Sequence, residues 1–530
     1  MSKILDCTLR DGAYLVDKSF GDSTIKGIIS HLVEAGIDII EIGFLENTKH
    51  VSGKSVFLEP SEAESYLPSD TKEAEFALMA DFSRYDFKNL TKCSGKITNI
   101  RLCFFKHERF CAIKLADRIH ALGYKLFIQP VDILGYSDKE LLELIELVNS
   151  KGVFAFSIVD TFGSMYLNDL RRIFSLIHHN LDSKISLGFH SHNNLQLSSA
   201  LSQEFLHLCT KREGIVDSTI NGLGRGAGNT ATELIALYIN THLGGSYKLE
   251  CILDSIDIYL PPIKAKAKWG YSIPYYIAGM HSAHTNNIIY LLEKNAIASK
   301  DLMHILAGLD SEKKKRYDYE NLEKLYLEHL GSRIDDWRDF ENLKNALNGR
   351  EILILAPGES IFRQKAKILE FIESSENLVV INVNFLDSIF RSDFIFIGNV
   401  KRFEYLKNSS EFKGAHKILL SSIKQRLENT LLIDINRVLK GGWENLDNST
   451  ILLLRLLDNF SVDSINLAGF DGFSELNNYF SDELVRSVEK GKLEALNNEI
   501  LEMFLDYKKT RKSRAEIRFI TESRFDKESK

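Results

Sequence analysis

The feature that most limits what this chain can fold into is a regular alternation. Between residue 3 and about residue 225, short apolar runs rich in β-formers take turns with amphipathic helical stretches, the signal of parallel βα units. Eight runs read as strands, at residues 4–7, 39–44, 76–79, 100–104, 125–129, 153–159, 185–189 and 215–220. Stretches between them, such as 24–35, 112–121, 139–150 and 195–209, set polar residues on one face and Leu, Ile or Val on the other. Eight units in roughly 220 residues is the span of a (β/α)8 barrel, whose chemistry belongs at the C-terminal ends of the strands. The expected fold is therefore α/β: a TIM barrel over residues 1–255, a helical extension over 256–345, and a Rossmann-like α/β domain over 346–530. That last domain opens with an apolar strand and Gly turn at 351–360, and further βα-like units follow at 378–383, 394–397, 418–420, 464–467 and 517–520.

A chain of 530 residues is too long for one core, and 44% hydrophobic with 26% charged residues is ordinary for a globular protein. The net charge of −7 carries no electrostatic footprint for nucleic acid or an anionic membrane, so neither is expected as a partner. Lys508, Lys509, Arg511, Lys512 and Arg514 read as a solvated helix end or linker. Six cysteines without CxxC pairs fit a reducing compartment, and no run has the length of a membrane span, so the cytoplasm is the expected location.

Three stretches carry side chains suited to chemistry. The first strand runs into Thr8-Leu9-Arg10-Asp11-Gly12, where Gly12 permits a sharp backbone path and the adjacent cation and carboxylate reach a barrel mouth; a surface turn with a local ion pair is the plainer reading. At the end of the seventh strand, His190 and His192 lie two apart in Gly188-Phe189-His190-Ser191-His192-Asn193-Asn194. They therefore share a face and suit a divalent metal together with Asp11, brought to the same mouth when strand seven closes near strand one. After strand eight comes the glycine-rich Asn221-Gly222-Leu223-Gly224-Arg225-Gly226-Ala227-Gly228-Asn229, either a barrel-closing loop or a place of close backbone approach, in which Asn229 can add an oxygen ligand. The run from Lys268 to Tyr276 reads first as aromatic packing and second as part of a pocket.

Together these segments resemble the superfamily of metal-dependent pyruvate-type aldolase and acyl-transferase barrels that includes 4-hydroxy-2-oxovalerate aldolase, hydroxymethylglutaryl-CoA lyase and isopropylmalate synthase. The resemblance covers roughly residues 1–290. It is nearest to the aldolases, because Val159-Asp160-Thr161-Phe162-Gly163-Ser164-Met165 is similar to the loop that receives the pyruvate carboxylate, and Tyr271-Ser272 to a Tyr-Ser pair of the aldolase cap. The resemblance implies a divalent cofactor, Mn2+ or Mg2+, on Asp11, His190, His192 and Asn229, with Arg10 facing the substrate oxygen and Thr161, Gly163 and Ser164 at the substrate. One departure stands out: the aldolases place a histidine two residues after the Gly of the Arg-Asp-Gly turn, and this chain has Tyr14. A tyrosine is a poor base at neutral pH, so either Tyr14 has a changed role or Glu41, His107 or Tyr271 supplies the base. Each of these has a structural reading too: Glu41 paired with Arg10 or another mouth cation, His107 exposed, Tyr271 packed. Leu355–Ser360, Phe396–Asn399 and Leu467–Gly472 loosely resemble the nucleotide-sugar-binding fold of some bacterial sialyltransferases, so the C-terminal domain is read as binding a nucleotide or activated sugar, or as a structural or oligomerising domain.

The function expected is a metal-dependent carbon–carbon lyase acting on a 4-hydroxy-2-oxo acid with pyruvate as one partner; the sialyltransferase likeness would suit surface-polysaccharide biosynthesis. An acyl-CoA-dependent synthase and a non-catalytic metal-binding scaffold are the alternatives.

Overall fold

The computed structural model describes residues 2–293, 299–331, 333–443, 448–474 and 490–528. By contacts the chain divides into two compact units, Met1–Ile288 with Asp310–Tyr317, and Ile289–Leu309 with Asp318–Lys530. The helical stretch between residues 256 and 345 is thus divided between the two.

The first unit is the barrel. Its strands are β1 (Ser2–Asp6), β2 (Ile39–Leu45), β3 (Glu75–Asp81), β4 (Ile97–Phe104), β5 (Lys125–Pro130), β6 (Ala155–Asp160), β7 (Ser186–Ser191) and β8 (Gly214–Ser218). Each pairs in parallel with the next, and β1 pairs with both β2 and β8, Leu5 opposite Ile39 and Lys3 opposite Ile215, which closes the sheet. In one of the helices between strands a side-chain cap and an apolar stripe coincide. In Asp138–Asn149, Ser137 and Glu140 make a reciprocal capping box while Leu141, Leu144, Ile145 and Val148 bury one face.

Side-chain alternation in the strands sorts the barrel interior into layers. Leu5, Ile39, Ala77, Phe127, Ala155 and Ile215 form an apolar plug. Two residues further along their strands stand Glu41, Gln129, Ser157 and Asp217, joined by Arg101 from β4, all buried. The polar layer is cross-linked inside the barrel: Gln129 donates to Ser157 Oγ at 2.7 Å, and Arg101 donates to Glu41 at 2.9 Å and to Asp217.

The second unit holds a parallel sheet of β9 (Glu351–Leu355), β10 (Leu378–Val383), β11 (Phe394–Ile397), β12 (Lys417–Leu420), β13 (Thr430–Ile433), β14 (Ser464–Ala468) and β15 (Glu516–Phe519), in the order β13-β12-β11-β10-β9-β14-β15. Strand β13 is absent from the units expected above. It is a four-residue edge strand with Leu431 and Leu432 half-exposed, too short to show a period. The strand order reverses between β9 and β14, the place where open α/β sheets bind ligands. At that crevice Asp471 accepts from the Ser360 N–H at 2.7 Å and from its hydroxyl at 2.5 Å. Among the described residues no helix is long and apolar enough to cross a membrane.

Candidate metal centre and active site

Strand β1 leads straight into the helix Thr8–Asp11 and the 3-10 turn Gly12–Leu15. The chain is pinned there from both sides. Asp6 accepts from the Thr8 N–H at 2.9 Å and the Thr232 hydroxyl at 2.6 Å, and Thr8 Oγ accepts from the Ile220 N–H at 2.8 Å. Gly12 is not there for a sharp path, as the sequence had implied, because its φ of −63° is ordinary right-handed helix. It is needed for space: a Cβ would stand 2.4 Å from Leu223 Cδ2 of the glycine-rich loop.

These restraints hold Asp11, only 1% exposed, with its Oδ2 accepting no hydrogen bond among the described residues. His190 Nε2 is 3.5 Å and His192 Nε2 3.6 Å from that oxygen. Each imidazole is oriented from behind. His190 Nδ1 lies 3.0 Å from Asp217 Oδ2 and His192 Nδ1 3.2 Å from the Asp160 carbonyl, so each Nδ1–H donates outward and each Nε2 lone pair turns toward Asp11. Burial pushes His192 down to about 4, which keeps its ring neutral. Burial opposes ionisation of Asp11, but the nearby guanidiniums, Arg10 foremost, outweigh it and hold the carboxyl well below the usual range. Asn229, bridged through its backbone to His192, donates its amide N–H to the Leu223 carbonyl at 3.1 Å and leaves its buried Oδ1 without a donor among the described residues. Cys7, Asp11 and His190 also lie with ligand atoms within 4.8 Å of one another. Burial, however, raises the Cys7 thiol well above its ordinary range, and its S–H is directed to the Ser218 carbonyl at 3.3 Å. A buried carboxylate oxygen that accepts no hydrogen bond, two aimed imidazoles and an amide oxygen without a donor among the described residues make a donor set that fits a divalent cation.

Arg10 stands beside this centre, its Nη1 3.2 Å from Asp11 Oδ2 and its Nε donating to Glu41 Oε2 at 2.7 Å. Arg101 donates to that same Glu41 oxygen, so Glu41 is placed as the clamp that orients Arg10. Tyr14 packs edge-on to Phe44, with ring centroids 5.4 Å apart, and lies under the Arg225 guanidinium, 3.7 Å from the ring centroid. Burial pushes its phenol up against the pull of Arg225 and Arg10, so it is a neutral hydrogen-bond donor.

The turn after β6 is closed on Asp160, which accepts the Ser164 N–H on its carboxylate at 2.9 Å and the Gly163 N–H on its carbonyl at 3.3 Å. Gly163 has a φ of +56°, and a Cβ there would meet the Asn194 N and His192 carbonyl, so the turn and the His192 backbone are fitted together. Thr161 Oγ accepts from the Asp132 N–H at 2.8 Å, which leaves its own proton for a ligand. Tyr271 is 57% exposed and lines a cleft of about 850 Å³ with Trp269, Tyr275 and Lys268; Trp269 donates to the Asn221 carbonyl at 3.1 Å and straps this run to the glycine-rich loop. His107 is exposed and stacked on Phe105.

Arg101, Asp217, Arg225 and His284 were missed by the sequence reading. The first two had a signal, since each sits two residues beyond an inward residue of its strand, Asn99 and Ile215. His284 accepts the Asn286 N–H on Nδ1 at 3.1 Å, which puts its proton on Nε2, and burial followed by Arg225 pushes it down to about 3.

A closed parallel barrel with a carboxylate and two imidazoles converging at its C-terminal rim is the class that fold and site define. Residues 2–257 match the HMGL-like family. The chain is similar to the 4-hydroxy-2-oxovalerate aldolase of Thermomicrobium roseum, 27% identical over 269 residues that make up 49% of this chain and 73% of the relative. It is also similar to the oxaloacetate decarboxylase of Mycobacterium tuberculosis, 26% identical over 255 residues, 48% of this chain and 74% of the relative. Among solved structures, an N-terminal domain from Bacteroides vulgatus, proposed to be an aldolase, superposes with a TM-score of 0.48 at 25% identity, covering 55% of this chain and 96% of that one.

Proposed function

We propose that the protein is a divalent-metal-dependent aldolase that cleaves or forms a 4-hydroxy-2-oxo acid, with pyruvate as one half of the reaction. The observation that carries this reading is the Asp11 oxygen that accepts no hydrogen bond among the described residues, ion-paired to Arg10 and faced by two imidazoles whose Nδ1 atoms are both engaged behind them. Asp11, His190, His192 and Asn229 would hold Mn2+ or Mg2+, and a cation there supplies Lewis acidity to the oxygens of a 2-oxo acid. Arg10, fixed by Glu41, stabilises the negative charge that develops as the enolate forms. Thr161 offers its hydroxyl proton to the substrate carboxylate, and Gly163 and Ser164 shape the turn that presents it. Tyr14, as a neutral phenol, donates to the 4-oxygen in condensation; in cleavage the 4-hydroxyl proton leaves through it to water. The 4-hydroxy-2-oxovalerate aldolases among the relatives support the same reaction class.

The test is enzymatic pyruvate release from a panel of 4-hydroxy-2-oxo acids. Activity is expected to vanish with chelator and return with Mn2+, and to be absent in Asp11→Ala and His192→Ala while both variants still melt cooperatively. Chelator-resistant release, or no release from any member of the panel, refutes the reading.

A further inference from the structure

Charge balance at the barrel mouth singles out Arg225. Inside, the two guanidiniums of Arg10 and Arg101 face the three carboxylates of Asp11, Glu41 and Asp217. A divalent cation together with a monoanionic 2-oxo acid brings that group to neutrality. Arg225 stands outside this account. The residue is half-buried, and its guanidinium makes no hydrogen bond or ion pair among the described residues and stands over the Tyr14 ring, 3.7 Å from the centroid. Its charge nevertheless reaches Asp11, His192 and His284.

The loop that carries it is fastened on every side. The Gly228 N–H donates to the Arg225 carbonyl at 3.0 Å, the Ala227 N–H to Asn194 Oδ1 at 3.0 Å, and the Gly270 N–H to the Gly226 carbonyl at 3.3 Å. The backbone that carries the cation is therefore fixed, and half-desolvating a guanidinium without a paired carboxylate costs free energy that an arriving anion recovers. His284 borders this loop, since its neighbour Thr285 has its Cγ2 2.9 Å from where a Cβ on Gly226 would stand, and it carries its proton on Nε2. It is a neutral donor suited to a remaining oxygen of such an anion, while the Tyr14 hydroxyl is kept for the 4-oxygen.

We propose that Arg225, backed by the Tyr14 ring and flanked by His284, determines specificity for the second substrate by binding an anionic group, phosphate or carboxylate, on the acceptor aldehyde. The inference rests on the aldolase reading of the same site and names the class of its unknown half.

The experiment has two stages, both on the full chain loaded with Mn2+. Deuterium exchange at the pyruvate methyl tests the wild-type half-reaction without any aldehyde. Condensation of pyruvate is then compared for acetaldehyde and glycolaldehyde, which are neutral, for glyoxylate and succinic semialdehyde, and for glycolaldehyde phosphate. The wild type is expected to favour one anionic class at least tenfold in kcat/KM, and the class that wins separates carboxylate from phosphate. Arg225→Gln is expected to reduce that preference at least tenfold, chiefly through KM, while Arg225→Lys keeps most of it. Inorganic phosphate is expected to compete with the aldehyde in the wild type and not in Arg225→Gln. Should Arg225→Gln lose its cooperative melt, the wild-type preference, the phosphate competition and Arg225→Lys decide the matter. Exchange with no preference for anionic aldehydes overturns this inference alone; no exchange overturns it together with the aldolase reading.

Discussion

At the scale of single residues, the centre depends on which nitrogen of each imidazole carries the proton. Asp217 does not face the Asp11 oxygen, yet by accepting from His190 Nδ1 at 3.0 Å it decides that the opposite nitrogen is free. Asp217 is thus a positioning residue. Asp217→Asn is expected to weaken Mn2+ binding about 10–100-fold, the usual cost of losing such a partner, read by titration of the ion against the apo protein. Unchanged affinity would show that His190 is oriented by other contacts. Asp11, His190 and His192 were legible as motifs because a two-residue spacing at a strand end is a local fact. The engagement of Glu41 by two cations was only half legible: its pairing with Arg10 could be anticipated, but Arg101 comes from a strand about 60 residues away, and nothing near either residue announces the other. For Tyr14, the sequence showed a departure from the aldolases, and the neutral phenol under Arg225 is what burial makes of it.

At the scale of elements, alternation along the strands separates an apolar plug from a charged layer above it, and the charged layer is expensive to break. Arg101 is completely buried between Glu41 and Asp217. Arg101→Met would leave two carboxylates facing a hydrophobic side chain, with an expected loss of about 3–5 kcal/mol of stability, the range for removing one partner of a buried ion pair. Urea denaturation of the variant measures it, and a loss below about 1 kcal/mol, the scale of an exposed pair, would mean that water reaches this layer. The eight barrel strands were readable because each contains an apolar run between turn residues and alternates with an amphipathic helix. Strand β13 was not, because four residues on a sheet edge carry too little pattern.

At the scale of the whole molecule, each of the two units has its own buried core, one around the barrel strands and their helices and one around β9, β10 and the helix Ser449–Leu457. Calorimetry is expected to resolve two transitions. Mn2+ at about a hundred times its Kd should stabilise only the transition of the barrel unit, by about 2.7 kcal/mol, and should have no such effect in Asp11→Ala. A single transition that moves as one with metal would show that the units unfold together. The helices between residues 256 and 345 show the limit of sequence reading at this scale. Helical periodicity reveals that a face is buried but not against which neighbour, and these helices divide between the two units.

By itself the sequence determined the barrel, since strand and helix periods are local properties of the chain, and it determined that Asp11, His190 and His192 stand at strand ends on the rim. Only the tertiary structure decided what each of those groups does. The tautomers are set by Asp217 and the Asp160 carbonyl, Arg10 is aimed by a carboxylate that Arg101 also holds, and Arg225 is left over Tyr14 without a counter-ion among the described residues. The reason is physical. Charge, burial and proton position are set by neighbours that the fold brings from distant parts of the chain, and in a closed barrel nearly every neighbour at the mouth comes from a different strand.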